Sequence, residues 1–170
     1  MKAPLYRSET RSIPIPDLPA ALRNALLMHA DRKKLRLVKA SAWITNRENA
    51  RSETMFGKLF GRRSNNADPD ASHEMVLVVH ETHLLVGTSG AVRGTTILSL
   101  ALLTATLTRG SLLRGDTVPS DDGLTISGFP GDHGAAATYF MGLGAGAAAE
   151  SCVEAAMAAV DAAKNPSPQA

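Results

Sequence analysis

The sequence MVLVVHETHLLVG, residues 75–87, is the stretch that decides the fold. It places one apolar run, Met75 to His80, before the polar pair Glu81-Thr82, and a second apolar run, His83 to Gly87, after it. Two short apolar runs joined by a two-residue polar connection are typical of a β-hairpin with buried strands. The pattern therefore predicts two adjacent antiparallel strands.

The chain beyond this hairpin predicts more short strands. Residues 95–108 are rich in Leu, Thr and Ile, and although a helix is an alternative, the β-branched residues and the Arg109-Gly110 that follows favour a strand. Leu112-Leu113 could add a short strand. Residues 124–129 and 136–143 alternate apolar and polar side chains on either side of a turn at 130–134.

An alanine-rich amphipathic helix is predicted over residues 147–164. Its apolar side chains recur at intervals of three and four residues, which places them on one stripe of a helix. The stripe consists of Ala149, Cys152, Val153, Ala156, Met157, Val160 and Ala163. Strands followed by a single terminal helix predict an α+β, mainly β fold, a strongly bent sheet whose open end the helix closes. Residues 165–170 form a disordered tail in this interpretation.

The front of the chain predicts three segments. Residues 1–16, with three prolines, form an extended or disordered arm. Residues 17–31 hold a short helix at 18–30 that Asp17 could cap, and it is expected to be an appendage to the core, so that residues 1–30 could be removed without unfolding it. Residues 35–47 read as a long strand, in which Trp43 is interpreted as a core anchor.

Composition limits the class of protein. Apolar residues are 44% and charged residues 20%, as in ordinary globular domains. The single cysteine excludes an internal disulfide, no apolar run is long enough for a membrane span, and the N-terminus lacks the pattern of a secretory signal, which predicts a cytoplasmic protein. The net charge of +2 hides an asymmetry, because residues 1–66 carry 14 Lys/Arg and 5 Asp/Glu while residues 67–170 carry 4 and 11. Such a basic front half could meet an anionic partner or could be solvated.

The order of elements resembles the pleckstrin-homology (PH) superfold, particularly the bacterial PH-like families. The resemblance lies in the hairpin at 75–86, in Gly128-Phe129, in the strand that ends Tyr139-Phe140-Met141-Gly142-Leu143-Gly144, and in the helix to Lys164. It covers roughly residues 32–164 and implies an antiparallel barrel of about seven strands closed by the C-terminal helix, with the N-terminal helix added. It also implies a non-enzymatic scaffold that binds a protein partner, as a subunit of a larger assembly would, with no cofactor.

The predicted contact site lies in the long connection at 46–66, where basic and apolar side chains alternate. In lipid-binding members of the PH family, basic residues near the first hairpin hold headgroup phosphates, but the K/R-x-R spacing is not reproduced here. The candidate partner- or lipid-binding residues are Arg47, Arg51, Phe56, Lys58, Phe60, Arg62 and Arg63. Three interpretations stay open: the apolar residues fold back onto the protein's own sheet, the segment docks on a protein, or it contacts an anionic membrane as a peripheral binding module.

Other kinds of site have weaker signals. His73, His80 and His83 lack the spacing of a metal site, and hairpin-end histidines in contact with solvent are the preferred interpretation. Gly142-Leu143-Gly144 precedes a helix, but the third glycine of a dinucleotide-binding loop is missing. Nucleic-acid binding is not expected, because the sequence contains neither aromatic stacking platforms nor the pattern of a recognition helix. The sequence also identifies no set of catalytic residues and no small-molecule substrate.

Overall fold

The computed structural model describes residues 6–49, 65, 67–110 and 122–166. These residues form an α+β, mainly β structure with two helices and two antiparallel sheets, as the sequence predicts. The strands are β1 Tyr6–Ser12, β2 Ser41–Asn49, β3 Ser72–Val79, β4 His83–Gly90, β5 Gly94–Ala101, β6 Thr106–Arg109, β7 Gly123–Pro130 and β8 Ala136–Gly142. The helices are α1 Ala20–Lys33 and α2 Ala147–Lys164.

Each sheet is a simple antiparallel meander. The first has the order β1-β2-β3-β4-β5 and the second the order β6-β7-β8. The predicted hairpin at 75–87 is confirmed, with Val79 opposite Leu84 and Leu77 opposite Val86. In the described strands no pairing joins the two sheets into a closed barrel.

Helix α2 supplies the centre of the main core. Its bounds match the predicted 147–164, and the buried residues follow the predicted stripe: Ala149, Cys152, Val153, Ala156 and Val160. They pack with Trp43, Leu77 and Leu84 of the first sheet and with Leu124 and Ile126 of the second. Trp43 is therefore a core residue, as expected. Lys164 fixes the end of the helix by donating to the carbonyl of Ala105 over 2.5 Å.

Helix α1 covers the opposite face of the five-stranded sheet. Leu22 and Leu26, one turn apart, are fully buried in a second apolar cluster with Ile44, Val76 and other outer-face residues of that sheet. The helix begins at Ala20 after Pro19, and Asp17 does not cap it but belongs to a 3-10 turn at Ile15–Asp17. The expectation that α1 is an appendage is wrong, because it forms one side of a core.

Three further expectations need correction. The arm at 1–16 contains strand β1, whose backbone pairs with β2 from Tyr6–Asn49 to Ser12–Trp43, so residues 1–30 are not separable from the fold. The strand expected at 35–47 begins only at Ser41, after a 3-10 turn at Leu37–Lys39. The strand expected at 95–108 is two strands, because the chain turns after Ala101 and passes into the second sheet at Thr106. Leu112-Leu113 lies outside the described residues.

Candidate functional site

The predicted contact residues fall into two groups. Arg47 lies on β2 and is described. The others, Arg51, Phe56, Lys58, Phe60, Arg62 and Arg63, lie outside the described residues. The structure does describe the residues that flank this segment. We call these residues, together with the side chains that they contact, the base of the segment.

Asn49 and Asn65 bring the two ends of this segment together. The side-chain amide of Asn49 donates to the backbone carbonyl of Asn65 over 2.7 Å, and the backbone N–H of Asn65 donates to the side-chain oxygen of Asn49 over 3.0 Å. The Asn49 backbone N–H donates to Ala71. The Asn49 amide thus forms the same pair of hydrogen bonds with the Asn65 backbone that a neighbouring strand residue would form. Asn49 and Asn65, which flank residues 50–64, are therefore held beside each other at the end of β2.

Arg47 is buried, and it makes contacts with strand β1. Only 8% of the residue is exposed, and its guanidinium lies 4.1 Å from the centre of the Tyr6 ring. Its Nε donates to Ser8 over 3.3 Å, and a Cβ added at Gly142 would meet the guanidinium at 2.6 Å. Arg47 therefore spans the gap between β2 and β8, where it stabilises the base through cation–π and hydrogen-bond contacts.

Two carboxylates, Asp68 and Asp70, fix the position of the chain that follows the segment, and we call them the carboxylate hub. Buried Asp70 accepts hydrogen bonds from the backbone N–H of Val92 at 2.7 Å and from Nε of Arg93 at 2.8 Å. Asp68 accepts from the Tyr6 hydroxyl at 2.5 Å and pairs with the guanidinium of Arg93. These contacts tie residues 68–70 to β1 and to the β4–β5 turn, so the base is built from three separate parts of the chain.

The electrostatics of the hub follow from burial and hydrogen bonding. Burial alone would raise the pKa of Asp68, but hydrogen bonds from Tyr6, from the Asp70 amide and from Arg93 lower it to about 2. His73 is 5% exposed, and burial followed by the charges of Arg93 and Arg47 lowers its pKa to about 4. His73 is therefore neutral at pH 7, and its Nδ1, 3.4 Å from Asp68, makes no hydrogen bond within the described part of the chain.

Acidification should destabilise the protein through His73. Its pKa is about 4 in the folded state and about 6.5 in an unfolded chain, so protons favour the unfolded state as the pH falls from 6.5 towards 4. We expect the free energy of unfolding to fall by up to about 3 kcal/mol over this window, since each unit of the difference between the two pKa values is worth about 1.4 kcal/mol. Chemical denaturation at a series of pH values measures it.

The matched variant for this measurement is His73→Gln, which keeps a polar side chain but removes the titrating ring. It should flatten the pH dependence between 6.5 and 4. His83→Gln should change the dependence less, because His83 is only partly buried. An unchanged dependence in His73→Gln would contradict the assignment of the proton uptake to His73.

An open polar groove of about 1070 Å³ lies on the outer face of the sheet at the same end. Glu9, Glu48 and Glu74 line it together with Arg7. Acidic side chains are thus available close to the base, and they could attract either the protein's own cations or those of a partner.

Sequence reasoning missed the residues that build the base. Tyr6, Asp68, Asp70 and Arg93 come from distant segments, and only the register of β1 on β2 and the β4–β5 turn bring them together. The sequence Asp68-Pro69-Asp70 is typical of a turn, but it does not indicate which segments these carboxylates contact.

Among the described side chains, the other histidines and the cysteine do not form a second site. His80 is buried, contrary to the expected solvent contact, and accepts a hydrogen bond from the Thr82 amide at 3.2 Å. Among the residues with a described placement, no group of three or more His, Cys, Asp or Glu could hold a metal ion. Burial raises the pKa of the Cys152 thiol to about 12, which disfavours the nucleophilic thiolate.

Comparison with protein families, with curated proteins and with solved structures finds no match to this chain. Within the described residues, neither helix combines the length and the apolar character needed to cross a membrane.

Proposed function

We propose that this chain is a non-enzymatic binding scaffold of the PH-like kind, which acts in the cytoplasm and binds another protein through the basic, apolar segment at 47–63. Two antiparallel meanders that pack with a C-terminal helix support the PH-like part of the proposal, since strands followed by such a helix are what the resemblance implies. A rigid sheet that carries its contacts on a connecting segment is a common design for binding modules.

The observation that carries the proposal is the double hydrogen bond between Asn49 and Asn65. It fixes both ends of a segment that contains four cations, Arg51, Lys58, Arg62 and Arg63, and a single acid, Glu53. Fixing the ends of a segment lowers the conformational entropy that binding must remove, so affinity per contact rises. In this proposal Arg47 supports the base, and the other six residues make the contacts.

Substitution of the segment should abolish association without unfolding the protein. We expect Phe56→Ser/Phe60→Ser/Arg62→Glu/Arg63→Glu to lose the partners that co-purify with the wild-type chain, because it removes both the apolar anchors and the charge. The measurement is affinity purification from native extract, quantified by mass spectrometry, with the unfolding midpoint as a check of the fold.

The control is Arg7→Glu/Arg11→Glu, which reverses two exposed charges on β1. It should keep the partners. Equal retention of partners by the segment variant and the wild type would contradict the proposal, and equal loss in both variants would show unspecific charge attraction. That result would not distinguish a partner protein from the protein's own acidic groove as the surface that the segment contacts.

Peripheral membrane binding is the second candidate. The same alternation of cations and phenylalanines suits an anionic surface, where each cation near the membrane adds about 1 kcal/mol. Co-sedimentation with phosphatidylserine vesicles at low salt, lost in the segment variant, would favour it. No co-sedimentation even at low salt would exclude it.

A further inference from the structure

A second candidate surface lies at the other end of β2, beside the C-terminal turn of α1. An apolar groove of about 630 Å³ runs there between α1 and the chain that connects it to β2. We call it the α1 groove, and its lining is Pro14, Ile15, Pro16, Leu27, Ala30, Asp31, Leu35, Leu37, Val38 and Ala40. The eight steps along β2 from Ser41 to Asn49 place it about 26 Å from the base of the 47–63 segment.

The apolar lining of the α1 groove is partly open to solvent. Val38 is 94% exposed and Leu27 is 48% exposed, although single exposed apolar side chains are common on protein surfaces. Here they continue into Leu35 and Leu37, which are half-buried and pack on the core beneath α1. A concave surface with a firm apolar floor and open apolar walls suits side chains of a ligand better than water.

Five exposed cations lie within two residues, along the chain, of residues that line the groove, although none of them belongs to the lining. Arg32, Lys33, Lys34, Arg36 and Lys39 stand against one acid, Asp31, and no ion pair involves any of them in the part of the chain that the structure describes. The helix dipole accounts for Arg32 and Lys33 in the last turn of α1. It does not account for Arg36 and Lys39, which lie beyond the helix on either side of Leu37 and Val38.

We propose that the α1 groove binds an acidic, apolar peptide segment of a partner protein. Apolar side chains of the peptide fill the groove, and its carboxylates pair with the cations that directly flank the apolar lining residues along the chain, Lys34, Arg36 and Lys39. Charge complementarity selects an acidic partner, because a basic or neutral segment would leave these cations without a counter-charge. Asp31 in the lining offers an acceptor to a backbone N–H of the peptide.

The shape and charge of the groove favour a peptide over a membrane. A lipid surface is flat or convex, so it does not fill a groove of this kind. Its headgroup phosphates would also lie close to the Asp31 carboxylate, and these negative charges would repel each other. A peptide can instead place a backbone donor at that position. The proposal concerns a different surface from the 47–63 segment, so either can fail without the other.

Selection from a display library of twelve-residue peptides tests this on the full chain. We expect the wild-type protein to enrich sequences that combine Leu, Ile, Val or Phe with Asp or Glu. A selected peptide, measured by fluorescence anisotropy, should bind at least tenfold more weakly to Arg36→Glu/Lys39→Glu and to Val38→Ser. These three side chains are exposed, so the substitutions should leave the unfolding midpoint unchanged.

Arg7→Glu is the control, since it reverses one exposed charge on β1, and it should bind the selected peptide within twofold of wild type. Enrichment of peptides without acidic residues, or equal affinity for wild type and the groove variants, would overturn the proposal. So would binding to phosphatidylserine vesicles that the groove variants lose, if no acidic peptide is enriched.

Discussion

Leu26→Ala should lower the free energy of unfolding by about 2–5 kcal/mol, the usual cost of truncating a fully buried leucine. Leu26 has no exposed surface and packs with Leu22, Ile44 and Val76 between α1 and the sheet. Truncation removes apolar contacts and leaves a cavity that the sheet below cannot fill, because strand positions are fixed by backbone pairing. Chemical denaturation at pH 7.5 measures the change.

The next residue provides the control. Leu27 is 48% exposed, so Leu27→Ala should change the free energy of unfolding by no more than about 0.5 kcal/mol. If the two substitutions cost the same, α1 would not be packed as described. The comparison also bears on the α1 groove, since a groove with a firm floor requires that α1 be part of the core.

Elements with a strong and continuous period could be predicted from the sequence. The bounds of α2 follow from a stripe repeated over five turns, and the hairpin at 75–87 follows from two apolar runs and a polar pair. In both, the local pattern and the tertiary packing favour the same structure. A segment can be predicted from its sequence when its local pattern and its tertiary packing agree in this way.

The elements that were missed depend on tertiary contacts. The sequence of β1, YRSETRS, is almost entirely polar, and it becomes a strand only because β2 offers a free edge for its backbone. The break between β5 and β6 carries no proline or glycine. Its turn is held by backbone hydrogen bonds from Thr104 and Ala105 to the carbonyl of Ala101.

The candidate site was predictable only in part. The alternation of basic and apolar residues at 47–63 is visible in the sequence, but the Asn49–Asn65 clamp is not, since asparagine is common near any turn. The α1 groove was missed for a different reason. Residues 35–39 alternate like a strand, which predicts that Leu37 and Val38 belong to a part-buried strand, whereas the 3-10 turn leaves Val38 on the surface.

Gly144→Ala should be as damaging as the loss of a buried leucine, although it only adds a methyl group. Gly144 joins β8 to α2 with a φ of +72°, a left-handed conformation that costs an L-residue about 1–2 kcal/mol. Its Cβ would also overlap the backbone carbonyl of Ser8 in β1, and such overpacking costs about 1–3 kcal/mol more. We expect a total loss of about 2–5 kcal/mol in the free energy of unfolding.

Gly134→Ala separates the two causes. Gly134 has a similar φ of +78°, but a Cβ there would meet no atom within 4 Å, so only the conformational cost of about 1–2 kcal/mol applies. The difference between the two variants measures how closely β1 packs on the β8–α2 junction, where Thr10 also donates to the Leu143 carbonyl over 2.7 Å. Equal losses would mean that this contact can relax. A larger loss for Gly144→Ala would show that β1, which carries Tyr6 to the base of the contact segment, is held by both sheets.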